Sequence, residues 1–452
     1  MPTAVFTPTL PPAALPPTQT PAPQTGAPSI GDPYAPEMGN SGYDVTSYAL
    51  DFYLDPSQAE LSAAAELLIE VTYPALDRFS LDFAGFDITD LLVDEKPASF
   101  ERVDQKLWIN LPEPAYAGQK LSLHITYSGE PVVEPSPYVP FISHLGLYFP
   151  GGSIFTLSEP NGAHYWYPSN DHPRDKAAFR IKMSVPPEYT AVSIGSLVES
   201  GENPDSTRYF VWEHPTPVAP YLTMLAVGRY ELLESQSPGG ISLRHFVFPD
   251  LKDEFLMATT STGEALDWIS DLYGPYPFEA FGYVTTRLVS LASETQTMVI
   301  LPETSLNEET VIHELAHMWF GDWVSLDSWA DMWLKEGAAI YTYLLWQTRQ
   351  DPAALDYFMQ ARTARLQADS SGYALGDLPK AQLLGTDTYW KGAALLHALR
   401  KQIGDEAFFD GMRLFLQRYG GQSASRQDFI TVMEETSGQE LGDFFDLWLF
   451  NR

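Results

Sequence analysis

The spacing of hydrophobic residues changes once along this chain, between about residues 232 and 250, and this change constrains the fold more than any other feature. Upstream of it, apolar and polar residues alternate in three clear segments. Their apolar positions are Tyr48, Leu50, Phe52 and Leu54; Leu121, Leu123, Ile125 and Tyr127; and Phe179, Ile181, Met183 and Val185. A period of two is that of a strand with one buried face. The pattern predicts a mostly antiparallel β domain over residues 43–232.

Downstream of the change, the apolar residues follow the period of a helix. Residues 253–274 predict one amphipathic helix ending at Gly274, and residues 281–301 predict either a strand pair or a strand and an edge. From residue 307 onward nearly every segment has helical spacing. The breaks fall near five glycines: Gly372, Gly385, Gly404, Gly420 and Gly438. The chain is therefore predicted to be α+β, with residues 233–452 forming a mostly helical second domain.

The first 40 residues differ in composition from the rest, because they hold 11 prolines and only two charged residues, Asp32 and Glu37. Such a segment cannot bury enough apolar surface to fold, so residues 1–42 are predicted to be an extended, disordered tether. The alternative is a mispredicted start or residues left from cloning. A tether would hold the folded body away from a surface. We therefore expect an extracytoplasmic protein, secreted or surface-tethered, although no signal peptide is visible.

Cysteine is absent, which excludes disulfides and thiolate zinc sites, so any metal must be held by His, Asp or Glu. The 59 acidic and 26 basic residues give a net charge of -33, which argues against nucleic acid or an anionic membrane as a partner. No apolar run approaches the roughly 18 residues that a membrane-spanning helix needs.

The stretch NEETVIHELAHMWFG, residues 307–321, carries the strongest chemical signal. His313 and His317 are four residues apart, so on a helix both imidazoles project from one face and can reach one tetrahedral metal ion. Glu314 lies on the adjacent side, where a carboxylate can take a proton from a water that the metal activates. Asn307 is placed to cap this helix. The alternative is a pair of helical histidines bonded to nearby carboxylates.

A third ligand is available in the next predicted helix, residues 327–346. A catalytic zinc needs three protein ligands and one open position. Glu336 lies 19 residues after His317 and is the expected third ligand; by itself it would be an exposed helix position. Asp331 is either a hydrogen-bond partner for a ligand histidine or a surface carboxylate.

These residues resemble the zinc aminopeptidases typified by aminopeptidase N and leukotriene A4 hydrolase. The spacing His-Glu-x-x-His, 18 residues, Glu is that of the family, and "HMWFGDWVSLDSWADMWLKEGAAIY" is similar to its "HQWFGN-V-----W-D-WLNEGFA-Y". Other similar stretches are "YDVTSYALDFYLD", "HYWYPSNDHPRDKAAFRI", "YGPYPFEAF" and "TYWKGAALLHALR", which together extend from about residue 43 to 452. The resemblance implies an N-terminal antiparallel β-sandwich or saddle domain followed by a thermolysin-like, mostly helical zinc metallopeptidase domain.

The resemblance also implies a role for each candidate site residue. One zinc ion per chain would be bound by His313, His317 and Glu336. Glu314 would be the general base. Tyr389 would donate a hydrogen bond to the tetrahedral oxyanion, where a fixed donor stabilises growing negative charge; read alone, it is a packing tyrosine. Glu294 and Glu159 would bind the free α-ammonium of a peptide substrate, which makes an exopeptidase.

Two departures from the family pattern concern specificity. The stretch LASET, residues 291–295, stands where the family has G-x-M-E-N, so Glu294 matches but Leu291, Ser293 and Thr295 do not. We expect the first side-chain pocket to differ. For Glu159, the alternative interpretation is an exposed acidic residue in a loop. The family usually continues into further C-terminal domains, so we expect a compact form with a more open cleft.

Three hypotheses follow. The leading one is a zinc aminopeptidase that releases N-terminal residues from peptides. A zinc endopeptidase or another zinc hydrolase, such as an epoxide hydrolase, is compatible with an open cleft and with LASET. The third is a non-catalytic, zinc-dependent peptide-binding module on a surface tether. Glu314 and Tyr389 argue against it, because a binding module needs neither.

Overall fold

The computed structural model describes residues 21–368 and 372–450, in which 22 strands and nine α-helices are formed. The strands of the first half are β1 (Gln24–Thr25), β2 (Tyr43–Leu54), β3 (Leu61–Val71), β4 (Leu76–Asp82), β5 (Asp87–Val93), β6 (Lys96–Pro97), β7 (Phe100–Val103), β8 (Lys106–Ala115), β9 (Lys120–Gly129), β10 (Gly146–Tyr148), β11 (Ile154–Leu157), β12 (Ala177–Val185), β13 (Thr190–Ser193), β14 (Ser196–Glu202), β15 (Arg208–Val218) and β16 (Leu225–Gly228).

The second half contains the helices and the remaining strands. The strands are β17 (Glu231–Gln236), β18 (Ser242–Val247), β19 (Ala280–Thr286), β20 (Met298–Pro302), β21 (Ser325–Leu326) and β22 (Ser423–Ala424). The helices are α1 (Lys252–Ala258), α2 (Thr262–Tyr273), α3 (Glu308–Ala316), α4 (Met332–Gln347), α5 (Pro352–Ala368), α6 (Thr386–Ile403), α7 (Asp405–Tyr419), α8 (Arg426–Ser437) and α9 (Gly442–Phe450).

An eight-stranded sheet dominates the first half, in the order β14-β15-β12-β2-β3-β9-β5-β6. Its neighbours are antiparallel except for β12 and β2, which run parallel. The apolar positions predicted in β2, β9 and β12 are all buried. Two four-stranded sheets, β1-β4-β8-β7 and β10-β11-β16-β13, complete this half. The predicted α+β class, with β structure first, is confirmed.

The N-terminal segment departs from the prediction of a disordered tether. Residues 1–20 lie outside the described residues, but residues 21–42 are ordered against the body of the protein. β1 pairs with β4, and the side chain of Asp32 is 1% exposed and accepts a hydrogen bond from Trp329 N at 3.0 Å. Buried polar contacts therefore hold a segment whose apolar content alone predicts no fold.

A mixed sheet, β17-β18-β19-β20, opens the second half, and β18, β19 and β20 are parallel neighbours. The predicted domain boundary at residues 232 and 233 stays a prediction, and it falls inside β17.

The single helix predicted over residues 253–274 is wrong, because α1 and α2 are separate. Thr259 Oγ1 and Thr260 Oγ1 donate to the carbonyls of Phe255 and Leu256 at 2.8 and 2.7 Å, which competes with the helical pattern.

Most of the described residues beyond residue 307 lie in helices, as predicted. Gly404, at φ +86°, separates α6 from α7, and Gly438, at φ +67°, caps α8. Helix α4 lies at the centre of this half, between α3 and α6, and residues 332–346 are buried on every side. It is therefore a core helix and has no exposed face. Among the described residues, no helix combines the length and apolar character needed to cross a bilayer.

Candidate metal centre

Helix α3 presents the two histidines. The side chain of Asn307 caps the helix by accepting a hydrogen bond from Thr310 N at 3.0 Å, as predicted. His313 lies in the last turn, and His317 is the residue at which the helix ends. The Nδ1 atom of His317 lies 2.9 Å from the carbonyl oxygen of Phe320, to which it donates. This contact leaves Nε2 of His317 free to act as a metal ligand.

The candidate metal ligands come together from two helices. His313 lies in α3, His317 directly follows that helix, and Glu336 lies in α4. Nε2 of His313 lies 3.1 Å from Nε2 of His317, and Oε2 of Glu336 lies 3.3 and 3.4 Å from these two atoms. A tetrahedral zinc ion with bonds of about 2.0–2.1 Å needs its ligand atoms roughly 3.3–3.4 Å apart. Glu336 is 2% exposed, so it is not the exposed helix acid of the alternative interpretation. The three side chains fit a zinc ion.

Glu314 follows the first histidine and is 6% exposed. Its Oε2 atom is buried and makes no hydrogen bond within the described residues. Burial raises the pKa of Glu314 well above its ordinary value, and the nearby Glu294 and Glu336 act in the same direction. A carboxylate with a raised pKa and a free oxygen beside the metal ligands is suited to accept and hold a proton.

Tyr389 comes from α6, which crosses α4 at close range. A Cβ atom on Gly337 would lie 2.6 Å from the backbone carbon of Gly392, so the two helices meet backbone to backbone. The crossing places the Tyr389 ring 5.8 Å from the His313 ring, measured between centroids. Burial raises the pKa of the Tyr389 hydroxyl well above its ordinary value, so the hydroxyl keeps its proton and can act as a donor.

Glu294 and Glu159 lie in connections that follow strands, and both line the cavity that holds the candidate metal ligands. Glu294 lies in the connection between β19 and β20, and Glu159 follows β11. They are 3% and 9% exposed, so Glu159 is not an exposed loop acid. A cavity of about 330 Å³ is lined by all seven predicted site residues: Glu159, Glu294, His313, Glu314, His317, Glu336 and Tyr389. The structure therefore brings every predicted site residue together.

The residues of LASET occupy different environments. Leu291 and Ala292 line the cavity, whereas Ser293 exchanges backbone hydrogen bonds with Ile300 at 3.1 and 2.9 Å. Thr295 is fully buried. Leu291 is thus the departure from the family motif that faces the cavity directly.

Asp331 does not have either of its predicted roles. It is 2% exposed, so it is not a surface carboxylate. It accepts a hydrogen bond from Arg426 N at 3.1 Å, and its other oxygen lies 3.3 Å from Arg426 Nε. Its partner is therefore the start of α8, and the hydrogen bond of His317 goes to a backbone carbonyl instead.

Lys335 is a member of the cluster that the sequence interpretation missed. Its side chain is 1% exposed, and its Nζ atom lies 2.6 Å from Glu159 Oε1 and 2.5 Å from Glu336 Oε1 and also contacts Glu294 Oε1. Burial acts to lower the pKa of Lys335, but the three carboxylates outweigh it and raise that pKa well above its ordinary value. The available signals were a lone lysine in a strongly apolar helix and the Asn at this place in the family pattern.

Comparisons with known proteins match both halves of the chain. Residues 44–222 match the Peptidase M1 N-terminal domain, and residues 273–448 match the Peptidase family M1 domain. Aminopeptidase N of Streptomyces lividans is 28% identical over 333 residues, which cover 66% of this chain and 38% of that protein. Glutamyl aminopeptidase of Mus musculus is 26% identical over 336 residues, or 67% of this chain and 35% of that protein. The chain spans about a third of the length of these relatives.

Solved structures of similar size cover more of the chain. The M1 zinc metallopeptidase from Deinococcus radiodurans is similar with a TM-score of 0.86 at 29% identity, over 94% of this chain and 97% of that chain. A mutant of that enzyme bound to a Tyr-Ser-Ala substrate has a TM-score of 0.84 at 29% identity, over 93% and 97% of the two chains. A two-domain M1 zinc metallopeptidase mutant bound to L-tryptophan has a TM-score of 0.87 at 29% identity, over 94% and 98%.

Proposed function

Because the chain belongs to the M1 peptidase family, as its motifs predicted, we propose that it is a zinc aminopeptidase that releases N-terminal residues from peptides. The observation that carries this proposal is the convergence of His313 Nε2, His317 Nε2 and Glu336 Oε2 at separations of 3.1 to 3.4 Å, beside a buried Glu314. Three ligands and an adjacent free carboxylate are what metal-assisted hydrolysis requires.

The three ligands would hold one zinc ion per chain, and this ion would supply a Lewis acid for the substrate carbonyl and lower the pKa of the attacking water. Glu314 accepts a proton from that water as it attacks the carbonyl carbon. It then passes this proton to the nitrogen of the leaving amine. The free Oε2 atom of Glu314 and its raised pKa suit both steps.

Tyr389 stabilises the transition state by hydrogen bonding. Negative charge grows on the carbonyl oxygen during attack, and a fixed donor placed there lowers the barrier. The close crossing of α4 and α6 holds the tyrosine beside His313, so its position is set by backbone packing.

Glu294 and Glu159 accept hydrogen bonds from the α-ammonium of the substrate. A cation held at a fixed distance from the metal ligands selects peptides with a free N-terminus and places the first peptide bond at the metal. A related structure holds a Tyr-Ser-Ala substrate, which supports a peptide as the ligand of this chain also. Since Leu291 lines the cavity in place of the family glycine, the preferred first residue differs from that of relatives with the full motif.

The test is a panel of aminoacyl-anilides and short peptides, each in a free and an N-acetylated form, with and without a chelator. We expect hydrolysis of the free forms only, and loss of that hydrolysis with the chelator. Glu314→Gln is expected to retain zinc and lose turnover. Equal cleavage of free and acetylated peptides would indicate an endopeptidase, and one zinc per chain without any hydrolysis would indicate a binding module.

We also propose an extracytoplasmic location, secreted or surface-tethered. The support is compositional: residues 1–20 hold six of the prolines, at positions 2, 8, 11, 12, 16 and 17, and no charged residue. Fractionation of the native host, with detection by an antibody to the folded body, tests the proposal; recovery in the cytoplasmic fraction would reject it.

A further inference from the structure

The ammonium group of Lys335 lies at the junction of the two functional parts of the cavity. It contacts Glu336, which belongs to the metal ligands, and also Glu159 and Glu294, the residues assigned to the substrate amine. Carboxylate oxygens of these three glutamates lie within 4.8 Å of one another. Three buried carboxylates at this separation repel one another when they are ionised, so their arrangement depends on the cation between them.

Lys335 contacts the equivalent oxygen atom, Oε1, of all three glutamates. Its Nζ atom lies against Oε1 of Glu159, Glu294 and Glu336. The Oε2 atom of Glu336 is left to face the two histidines. Within the described residues, the Oε2 atoms of Glu159 and Glu294 make no hydrogen bond. The lysine therefore forms an ion pair with one oxygen of each carboxylate, and the Oε2 atoms of Glu159 and Glu294 remain available to a ligand.

The backbone makes room for the lysine side chain. Gly321, at φ +116°, follows the metal-ligand helix, and a Cβ atom there would lie 3.2 Å from Cδ of Lys335. The aliphatic part of the lysine thus passes beside a residue that has no side chain. Because Nζ of Lys335 lies 2.5 Å from Oε1 of Glu336, a shift of the ammonium group also disturbs the carboxylate of the metal ligand.

We propose that Lys335 is a positioning residue that orients Glu336 toward the metal and orients Glu159 and Glu294 toward the substrate amine. The part of this inference that concerns the substrate amine rests on the proposed aminopeptidase function. The part that concerns zinc binding does not. The substrate ammonium and the Lys335 ammonium share two carboxylates through different oxygen atoms. Amine binding and zinc binding are consequently coupled through one side chain.

The experiment compares Lys335→Met with the parent protein. Lys335→Gln, which keeps an N–H donor without the charge, is the second variant. Lys106→Met is the matched control, because Lys106 is a largely buried lysine that contacts Asp82 in the β-rich half. Zinc affinity of each apoprotein is measured by competition with a chromophoric chelator. Binding of leucinamide and of N-acetyl-leucinamide is measured by calorimetry at saturating zinc, in a Glu314→Gln background that prevents turnover.

We expect Lys335→Met to weaken zinc binding by about 10- to 100-fold, as is usual when a group that orients a metal ligand is removed. Leucinamide binding should weaken by at least about tenfold, with a smaller loss in Lys335→Gln and none in Lys106→Met. Unchanged zinc affinity in Lys335→Met, or leucinamide binding that is unchanged or tighter, would overturn the proposal.

Failure of the aminopeptidase function has a different signature. In that case the parent protein does not prefer leucinamide to its acetylated form, and it hydrolyses free and blocked substrates equally or not at all. The measurement of zinc affinity then tests the role of Lys335 by itself. Weaker zinc binding in Lys335→Met supports that role, and unchanged binding rejects it. Near-ultraviolet circular dichroism of each variant establishes that the fold is intact.

Discussion

Gly337 and Gly392 face each other where α4 crosses α6, and a Cβ atom on Gly392 would lie 2.7 Å from the carbonyl oxygen of Trp333. Real Cβ atoms do not approach so closely, so the two helices can cross here only without side chains. Glu336 precedes the first glycine by one residue, and Tyr389 precedes the second by three. The crossing thus sets the distance between a metal ligand and the proposed oxyanion donor.

Replacing Gly392 by alanine should force α6 away from α4 and displace Tyr389. We expect kcat on an aminoacyl-anilide to fall by at least about tenfold, because a displacement of about 1 Å at a reacting group can cost 10²-fold. Zinc content should stay unchanged. Gly442→Ala is the control, since an added Cβ meets nothing within 4 Å there. A wild-type kcat in Gly392→Ala would show that the crossing does not position the tyrosine.

Removing only the hydroxyl of Tyr389 tests the oxyanion assignment directly. In Tyr389→Phe we expect kcat to fall by about 10²-fold with KM nearly unchanged, because the hydrogen bond forms mainly in the transition state. Tyr419→Phe is the control, because its hydroxyl donates to Asp428 and the residue does not line the cavity. If KM rises while kcat is retained, the hydroxyl binds the ground state of the substrate instead.

Metal removal should destabilise the fold as well as abolish activity. Zinc that binds only the folded state adds about 2.7 kcal/mol to the free energy of unfolding at 100 times its Kd. We therefore expect a chelator to lower the Tm of the wild-type protein by several degrees. His317→Ala, which lacks one ligand, should show no such shift. An identical chelator effect on both proteins would place the stabilising metal elsewhere.

Asp32 gives a prediction for the pH dependence of stability. Burial acts to raise its pKa, but hydrogen bonds from His172, Ser328 and Trp329 N outweigh this and hold the pKa well below its ordinary value of 3.8. A carboxyl with a lowered folded-state pKa stabilises the protein above its unfolded pKa, and this contribution is lost as the pH falls below that value.

We expect Asp32→Asn to lower the free energy of unfolding by about 2 kcal/mol at pH 7, the range for hydrogen bonds to a charged group. The difference in the free energy of unfolding between Asp32→Asn and the wild-type protein should be smaller at pH 3 than at pH 7. Denaturant unfolding at the two pH values measures it, with the exposed Asp90→Asn as control. A difference that grows toward pH 3 would contradict the assignment.

The ligand set was predictable because it depends on local geometry. His313 and His317 are one helical turn apart, and Glu336 stands on a helix of its own, so spacing alone indicated a metal site. Glu159 and Glu294 could be proposed only from the family resemblance. They lie in loops after different strands, and nothing in their local sequence shows that the loops meet.

The features that sequence did not predict depend on tertiary contacts. Lys335 could be noticed as a lone lysine in an apolar helix, but its role could not be predicted, because its partners Glu159 and Glu294 lie in loops of other parts of the chain. Asp331 could not be assigned to Arg426, which comes 95 residues later. The order of residues 21–42 depends likewise on contacts with the second half, which composition cannot reveal.

The bond between Asp32 and Trp329 N joins positions 297 residues apart, and this has a consequence for synthesis on the ribosome. At about 5–20 residues per second, Asp32 waits roughly 15 to 60 s for its partner to be made. Every strand of the large sheet lies before residue 219, so that sheet can form well before Trp329 is made. The contacts of Asp32 with Ser328 and Trp329 can therefore form only after the large sheet, whereas the pairing of β1 with β4 does not depend on them. Resistance of the Asp32 segment to a protease would therefore report that a nascent chain has extended beyond residue 329.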